Sequence, residues 1–297
     1  MTRSFKLVLL AATAGLTLAA CGGQTEQETP PDSLNAESMA TNISEAETET
    51  SETSSMTEEG DPAEAQQASS ASSSEMKQAY NEFLQSYVIP SNGVNLVAYA
   101  DVTEADAAAL QGYIENLANT DISTFSEDEK MAYWFNLYNA VTLDLILDNY
   151  PIDSIKDIDD PWGQKLVNVR GATMSLDEIE HDTLRENYDE PRIHFAVNCA
   201  SIGCPNLKQT AWEAETLETD LDQAARDYIA SSRGIMINGD DIQASSIFDW
   251  YEEDFGADEE EVLTYLSQFA TGEKKSAMQN ANDISDYEYD WSLNVAK

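Results

Sequence analysis

Cationic, imidazole and thiol side chains are scarce in this 297-residue chain, which has 15 Lys and Arg against 56 Asp and Glu, two His and three Cys. The formal charge is −41. A surface so poor in cations cannot neutralise phosphates and release their counterions, so nucleic-acid binding is excluded. The sequence has no glycine-rich phosphate loop, P-loop or internal repeat, which removes the common nucleotide-binding classes. No aromatic residue lies between 21 and 75. Long apolar runs are missing too. The run over residues 7–18 is too short to span a bilayer, and the richest later one, 132–147, is interrupted by Asn136, Asn139 and Asp144, which would be costly facing lipid.

Arg3 and Lys6 precede the apolar run 7–18, the pattern of a secretory signal. Its end, Leu18-Ala19-Ala20-Cys21, resembles the bacterial lipobox. The resemblance implies cleavage before Cys21 and lipidation of its thiol; an ordinary signal with an incidental cysteine is the alternative. Each buried methylene of an acyl chain adds about 0.8 kcal/mol, so several chains anchor firmly. Gly22, in place of Asp after the cysteine, resembles the outer-membrane-sorted class. The expected location is the bacterial cell envelope, lipid-anchored at the outer membrane and facing the periplasm, with the membrane as partner through that anchor. Residues 22–75 carry 13 acidic residues and no Lys or Arg. They cannot bury enough apolar area to order themselves, and their like charges extend them into a tether. The expected domains are a signal at 1–20, a disordered acidic tether at 21–75, a globular domain at 76–275 and an acidic tail at 276–297. From residue 76 on, 13 basic residues still face 43 acidic ones, as salt adaptation or solubility by self-repulsion would require.

Helical spacing of apolar residues recurs at Met76, Tyr80, Phe83, Leu84 and Tyr87, and again at Leu110, Tyr113, Ile114 and Leu117 after a Thr103…Asp106 cap. Ser126…Glu129 has capping-box spacing before a stretch, 131–149, that is apolar nearly all round and stops at Pro151, so this helix should be central. Arg170-Gly171 and Asn238-Gly239-Asp240-Asp241 each sit between short β-prone runs and predict hairpins. Ser175…Glu178 caps a short helix reaching Arg185; Leu217, Leu221, Ala225 and Tyr228 mark a longer one, and Val262, Leu263, Leu266 and Phe269 a last one. The fold class is α+β: a mainly helical single domain with a small antiparallel hairpin sheet.

Beyond Cys21, every Cys and His lies between 181 and 204: His181, His194, Cys199 and Cys204. Three chemistries compete. A Cys199–Cys204 disulfide would close a six-residue loop and contribute roughly 2 kcal/mol by restricting the unfolded chain. A catalytic Cys199 would need His194 or His181 to lower its thiol pKa and move protons. Zinc at His181, His194, Cys199 and Cys204 would match a tetrahedral ligand count, with spacing unlike common fingers; the leading expectation is no metal and no cofactor. Glu180 shares a helix face with Leu176, Ile179, Thr183 and Leu184, so it needs a partner; Arg170 or Arg192 would make it a structural pair, whereas burial alone would raise its pKa toward acid–base use. Asn136 and Asn139, three apart, could bind a substrate carbonyl or satisfy loop backbone.

These segments resemble the bacterial lipoprotein branch of the domain of unknown function 547 (DUF547). The likeness rests on Tyr133-Trp134-Phe135-Asn136-Leu137-Tyr138-Asn139-Ala140, Leu176-Asp177-Glu178-Ile179-Glu180-His181, His194-Phe195-Ala196-Val197-Asn198-Cys199 with Cys204-Pro205, and Ile247-Phe248-Asp249-Trp250-Tyr251 with Asp254-Phe255. Ser246 departs from it, since the family often has a basic residue there. The resemblance implies no established reaction. It does imply that Glu180, His181, His194, Asn198 and Cys199 form one group. Together with the residue chemistry this gives a leading expectation of a hydrolase or acyl transferase using Cys199 with His194 or His181, oriented by Glu180, with Asn198 in the group and Asn136 and Asn139 lining the pocket. The alternative is a non-catalytic envelope binding or scaffold module with a structural Cys199–Cys204 disulfide.

Overall fold

The computed structural model describes residues 62–297. The signal, Cys21 and the tether as far as residue 61 lie outside the described residues. The first helix, α1 (Pro62–Tyr87), starts inside the stretch read as tether and carries the expected apolar face at Tyr80, Phe83, Leu84 and Tyr87. Strands β1 (Val88–Ser91) and β2 (Val94–Val97) then form a hairpin absent from the sequence-based expectation. Asn92-Gly93 makes it possible, because both take positive φ (50° and 84°), the left-handed conformation that a two-residue turn between twisted strands requires.

Helices α2 (Glu104–Asn119) and α3 (Glu127–Asn149) follow, each started as the sequence indicates. Thr103 accepts the Asp106 amide, and Ser126 and Glu129 exchange both bonds of a capping box. Fifteen residues of α3 are buried; α2 packs against it and α1 packs against α2, with Tyr80 stacked on Tyr113 at 4.3 Å. The hairpin of β3 (Val167–Val169) and β4 (Ala172–Met174) turns at Arg170-Gly171, as expected. The capped helix after Ser175 is also present, but over Glu178–Arg185 it is a wider π-type helix, and the Thr183 hydroxyl donates to the Glu178 carbonyl five residues back. Such widening shifts the facing of side chains and recurs at functional sites.

The second half comprises α4 (Leu217–Ala230), the hairpin β5 (Ile235–Asn238) and β6 (Asp241–Ser245), and four short helices: α5 (Ile247–Trp250), α6 (Glu252–Phe255), α7 (Glu259–Ser267) and α8 (Gly272–Asn280). These pack a second apolar cluster around Phe248, Phe255 and Leu263, distinct from the one around α3. The segment from His194 to Cys199 runs between the clusters, since Phe195 belongs to one and Ala196 and Val197 to the other. The fold is therefore α+β and mainly helical, with small antiparallel hairpins.

Residues 276–297 correct the expectation of a tail. Strand β7 (Asp286–Glu288) adds to β6 in parallel, Val295 bridges to Val97, and Leu293 bridges to Ser201. The acidic composition concealed this because the pairing uses backbone groups, while Ile284 and Leu293 supply the buried side chains. Among the described residues no helix is long and apolar enough to cross a membrane.

Candidate functional site

Two polar clusters occupy the region where the sequence places one. The first is centred on His194, held by a short 3-10 helix, Pro191–Phe195. Its Nε2 lies 2.6 Å from an Asp254 oxygen and its Nδ1 3.9 Å from Glu180, and the ring stacks on Tyr251 at 4.1 Å. Arg185 pairs with Asp254 through both Nε (2.6 Å) and a terminal nitrogen (3.0 Å), meets Glu253 at 3.1 Å, and lies over the Tyr251 ring at 4.9 Å from its centroid. His181 meets Arg185 at 3.2 Å and Asp177 at 3.8 Å. The structure thus brings Glu180, His181 and His194 together and adds Arg185, Tyr138, Tyr251 and Asp254, which residue-by-residue reading missed. Arg185 was legible as the residue four past His181, and Asp254 lies in the last of the segments on which the resemblance rests.

The electrostatics follow from burial. Glu180 is 7 % exposed, and its partners are the hydroxyls of Tyr138 and Tyr251 and the His194 ring. The arginines expected for it are committed elsewhere: Arg170 to Asp121, and Arg192 to Glu190, Glu218 and Asp222. Burial, reinforced by the Glu180 charge, pushes both tyrosines well above the usual phenol range, so they stay protonated as donors. Burial works to raise Asp254, but its bonds to His194 and Arg185 outweigh that and hold the carboxyl well below the usual carboxylate range. Asp177 goes the other way, pushed up to about 6 by burial against the pull of His181. A carboxyl raised in the folded state favours folding below its unfolded pKa, and that advantage is lost as pH rises through about 6. Asp177→Asn should accordingly stabilise the chain at neutral pH by about 2 kcal/mol and give no gain at pH ~4, which urea unfolding at the two pH values measures.

The second cluster surrounds the cysteines. Cys199 and Cys204 are joined in a disulfide. The Cys199 sulfur touches the hydroxyls of Ser201 (3.0 Å) and Tyr289 (3.1 Å), and Cys204 receives the Cys199 amide (3.0 Å) and the Tyr289 hydroxyl (3.1 Å). The expected pair of Cys199 with an imidazole is not formed. Both nitrogens of each histidine already face other groups. The zinc alternative finds no support in the geometry, since among the described residues no group of three or more His, Cys, Asp and Glu side chains is arranged to hold a metal. Tyr289 and Ser201 gave no sequence signal. Tyr289 lies in the presumed tail and packs so closely on Gly203 that a Cβ there would come within 2.8 Å of its ring, so only glycine fits.

The three asparagines are structural. Asn136 donates to the Trp212 carbonyl and accepts the Trp212 amide; Asn139 does the same for the Ala196 carbonyl and the Asn198 amide. Both thus satisfy loop backbone, the second of the two roles the sequence allowed, and Asn136 also lines a cleft of about 350 Å³ with Tyr133 and Trp212. Asn198, expected in the catalytic group, instead binds the Pro205 carbonyl and accepts the Ala200 amide, staking out the loop that carries the disulfide. Ala200 takes positive φ (61°), a strained choice for a residue with a side chain, and this turns the chain sharply between Cys199 and Ser201. Beside that loop opens a cleft of about 510 Å³, walled by Gly203, Gln243, Tyr289 and Trp291.

Residues 122–229 match the model of a family described as "Protein of unknown function, DUF547". The match spans the helix, acidic-histidine and histidine-cysteine motifs and supports that family; it ends before the Asp249 to Phe255 segment that supplies Asp254. No curated protein and no solved structure matches the chain.

Proposed function

We propose that the mature chain is a lipid-anchored envelope protein of the bacterial lipoprotein branch of this family, whose domain is a binding module rather than a Cys/His-dependent hydrolase or acyl transferase. The observation that carries the second part is the commitment of both imidazoles: His194 lies between Asp254 and Glu180, and His181 between Arg185 and Asp177. A cysteine nucleophile for acyl transfer needs a base within hydrogen-bond reach to form the thiolate and later to activate water. One nitrogen of each ring is hydrogen-bonded, to Asp254 in His194 and to Arg185 in His181, the other faces a carboxylate at 3.8–3.9 Å, and the Cys199 sulfur is held in the disulfide instead. The cleft beside the loop falls in the size range of ordinary ligand pockets and mixes aromatic with polar walls. The anchor rests on Arg3, Lys6, the apolar run and the lipobox-like Leu18 to Cys21.

Activated ester and electrophilic thiol probes test this on the purified chain, with and without reductant, against Cys199→Ala. Without reductant no thiol should label. With reductant Cys199 should alkylate, yet activated esters should show no burst and no turnover above the Cys199→Ala background. An acyl-enzyme burst that depends on Cys199 and is lost in His194→Ala would overturn the reading in favour of hydrolysis or acyl transfer. Incorporation of a labelled fatty acid that vanishes in Cys21→Ala tests the anchor separately.

A further inference from the structure

We infer that the Cys199–Cys204 disulfide is exchange-active: external thiols attack the Cys199 sulfur, and Cys204 departs as a thiolate into a ready-made cradle of donors. The inference goes beyond the binding role and does not depend on it. Access distinguishes the two sulfurs. Cys199 is partly exposed, whereas Cys204 is 4 % exposed. Exchange requires in-line approach to one sulfur and favours departure of the thiolate that is better stabilised. Cys204 has that stabilisation already in place, from the Cys199 amide at 3.0 Å, the Tyr289 hydroxyl at 3.1 Å and the Ser201 hydroxyl at 3.7 Å.

These donors gain little from a disulfide sulfur, a weak acceptor, and much from a thiolate. The Tyr289 hydroxyl has one proton to give and lies 3.1 Å from each sulfur, so it can follow the charge as the bond opens. Burial raises the Tyr289 phenol well above its usual range, which keeps that proton on the oxygen. A cation completes the setting. Arg233 donates to the Ile202, Cys204 and Gly93 carbonyls and to Asn206, and it is the arginine that forms no ion pair among the described residues. A positive charge left uncancelled on the disulfide loop of so acidic a chain favours the thiolate there.

The chemistry balances with an external thiol as reductant. One thiolate attacks the Cys199 sulfur, the S–S bond breaks and its electron pair moves to Cys204. A second thiolate attacks the resulting mixed disulfide at the external sulfur and releases Cys199 as a thiolate. Two external thiols are oxidised to their disulfide, the protein disulfide is reduced by two electrons, and the two cysteines take up protons according to pH.

The full chain in detergent, incubated with millimolar glutathione at neutral pH, quenched in acid and mapped by mass spectrometry, tests this. Glutathione should be found on Cys199 and not on Cys204, with the native fold retained in far-UV circular dichroism throughout. Tyr289→Phe removes the shared hydroxyl while keeping the ring, and exchange should slow roughly tenfold, as expected for loss of one hydrogen bond to a developing charge. Ser201→Ala provides the same test if Tyr289→Phe fails to fold. Glutathione recovered on Cys204, exchange only as fast as global unfolding, or a wild-type rate in both variants would overturn the inference. None of these outcomes bears on ester turnover, so this test and that of the binding reading fail independently.

Discussion

Asp254→Ala should destabilise the chain by about 3 kcal/mol, the largest effect expected of any single change in the polar centre. The carboxylate sits between Arg185 and His194, whose side chains are 19 % and 2 % exposed. Its removal leaves the buried imidazole without its acceptor and the partly buried guanidinium with only the exposed Glu253 carboxylate as ion-pair partner, and a buried charge so poorly compensated costs more than an intact pair contributes. The effect of Arg185→Met in the same background should be small, because the double change removes both charges; a double-mutant cycle by urea unfolding measures this coupling. The pH dependence gives an independent check. A carboxyl held low in the folded state contributes stability that is present above its unfolded pKa, about 4, and is lost as pH falls further. The wild type should therefore show a steeper acid limb than Asp254→Ala below pH ~4. Equal acid limbs, or a loss near zero at neutral pH, would mean that the short His194 and Arg185 contacts carry no net energy.

Local signals in the sequence announced the elements and concealed how the site closes. Thr103, Ser126 and Ser175 each start a helix by a short-range cap, and such bonds are written within three or four residues of sequence. The all-round apolar stretch after Glu129 likewise identified α3 as central. The motifs marked Glu180 and His194 as a group, and they do meet, at 3.9 Å. Much of the distribution of partners was not readable, because the groups that close on His194 and the sulfurs come from 60 or more positions away. Asp254 captures His194 from α6, and Tyr289 captures the sulfurs from a stretch whose acidic composition resembled a tail. Arg192 was a reasonable partner for Glu180 by charge. Glu190, only two residues before it, engages it bidentately, and local pairing prevailed over the distant one.

Asn139→Ala should cost about 3 kcal/mol and loosen the cysteine loop without removing any group that touches a sulfur. The Asn139 amide donates to the Ala196 carbonyl at 3.0 Å and accepts the Asn198 amide at 2.8 Å, all of them buried. Truncation leaves one donor and one acceptor of the loop without partners, each costing roughly 1–3 kcal/mol, and the small cavity admits no simple repacking. The loop then loses its tie to α3 just ahead of the strained Ala200 turn. Amide hydrogen exchange should report faster opening at Asn198 to Ser201 while the α3 interior stays protected, since the helix keeps its own backbone bonds. The same variant also distinguishes two roles for this side chain. A residue that held a substrate would leave stability nearly unchanged when truncated and lower affinity for a ligand in the cleft, whereas a residue that holds the loop should lower stability first. Asn136→Ala, which unpairs the Trp212 backbone instead, is the comparison: a similar loss of stability with no change in exchange at 198–201 would locate the effect in the loop contact rather than in α3 itself.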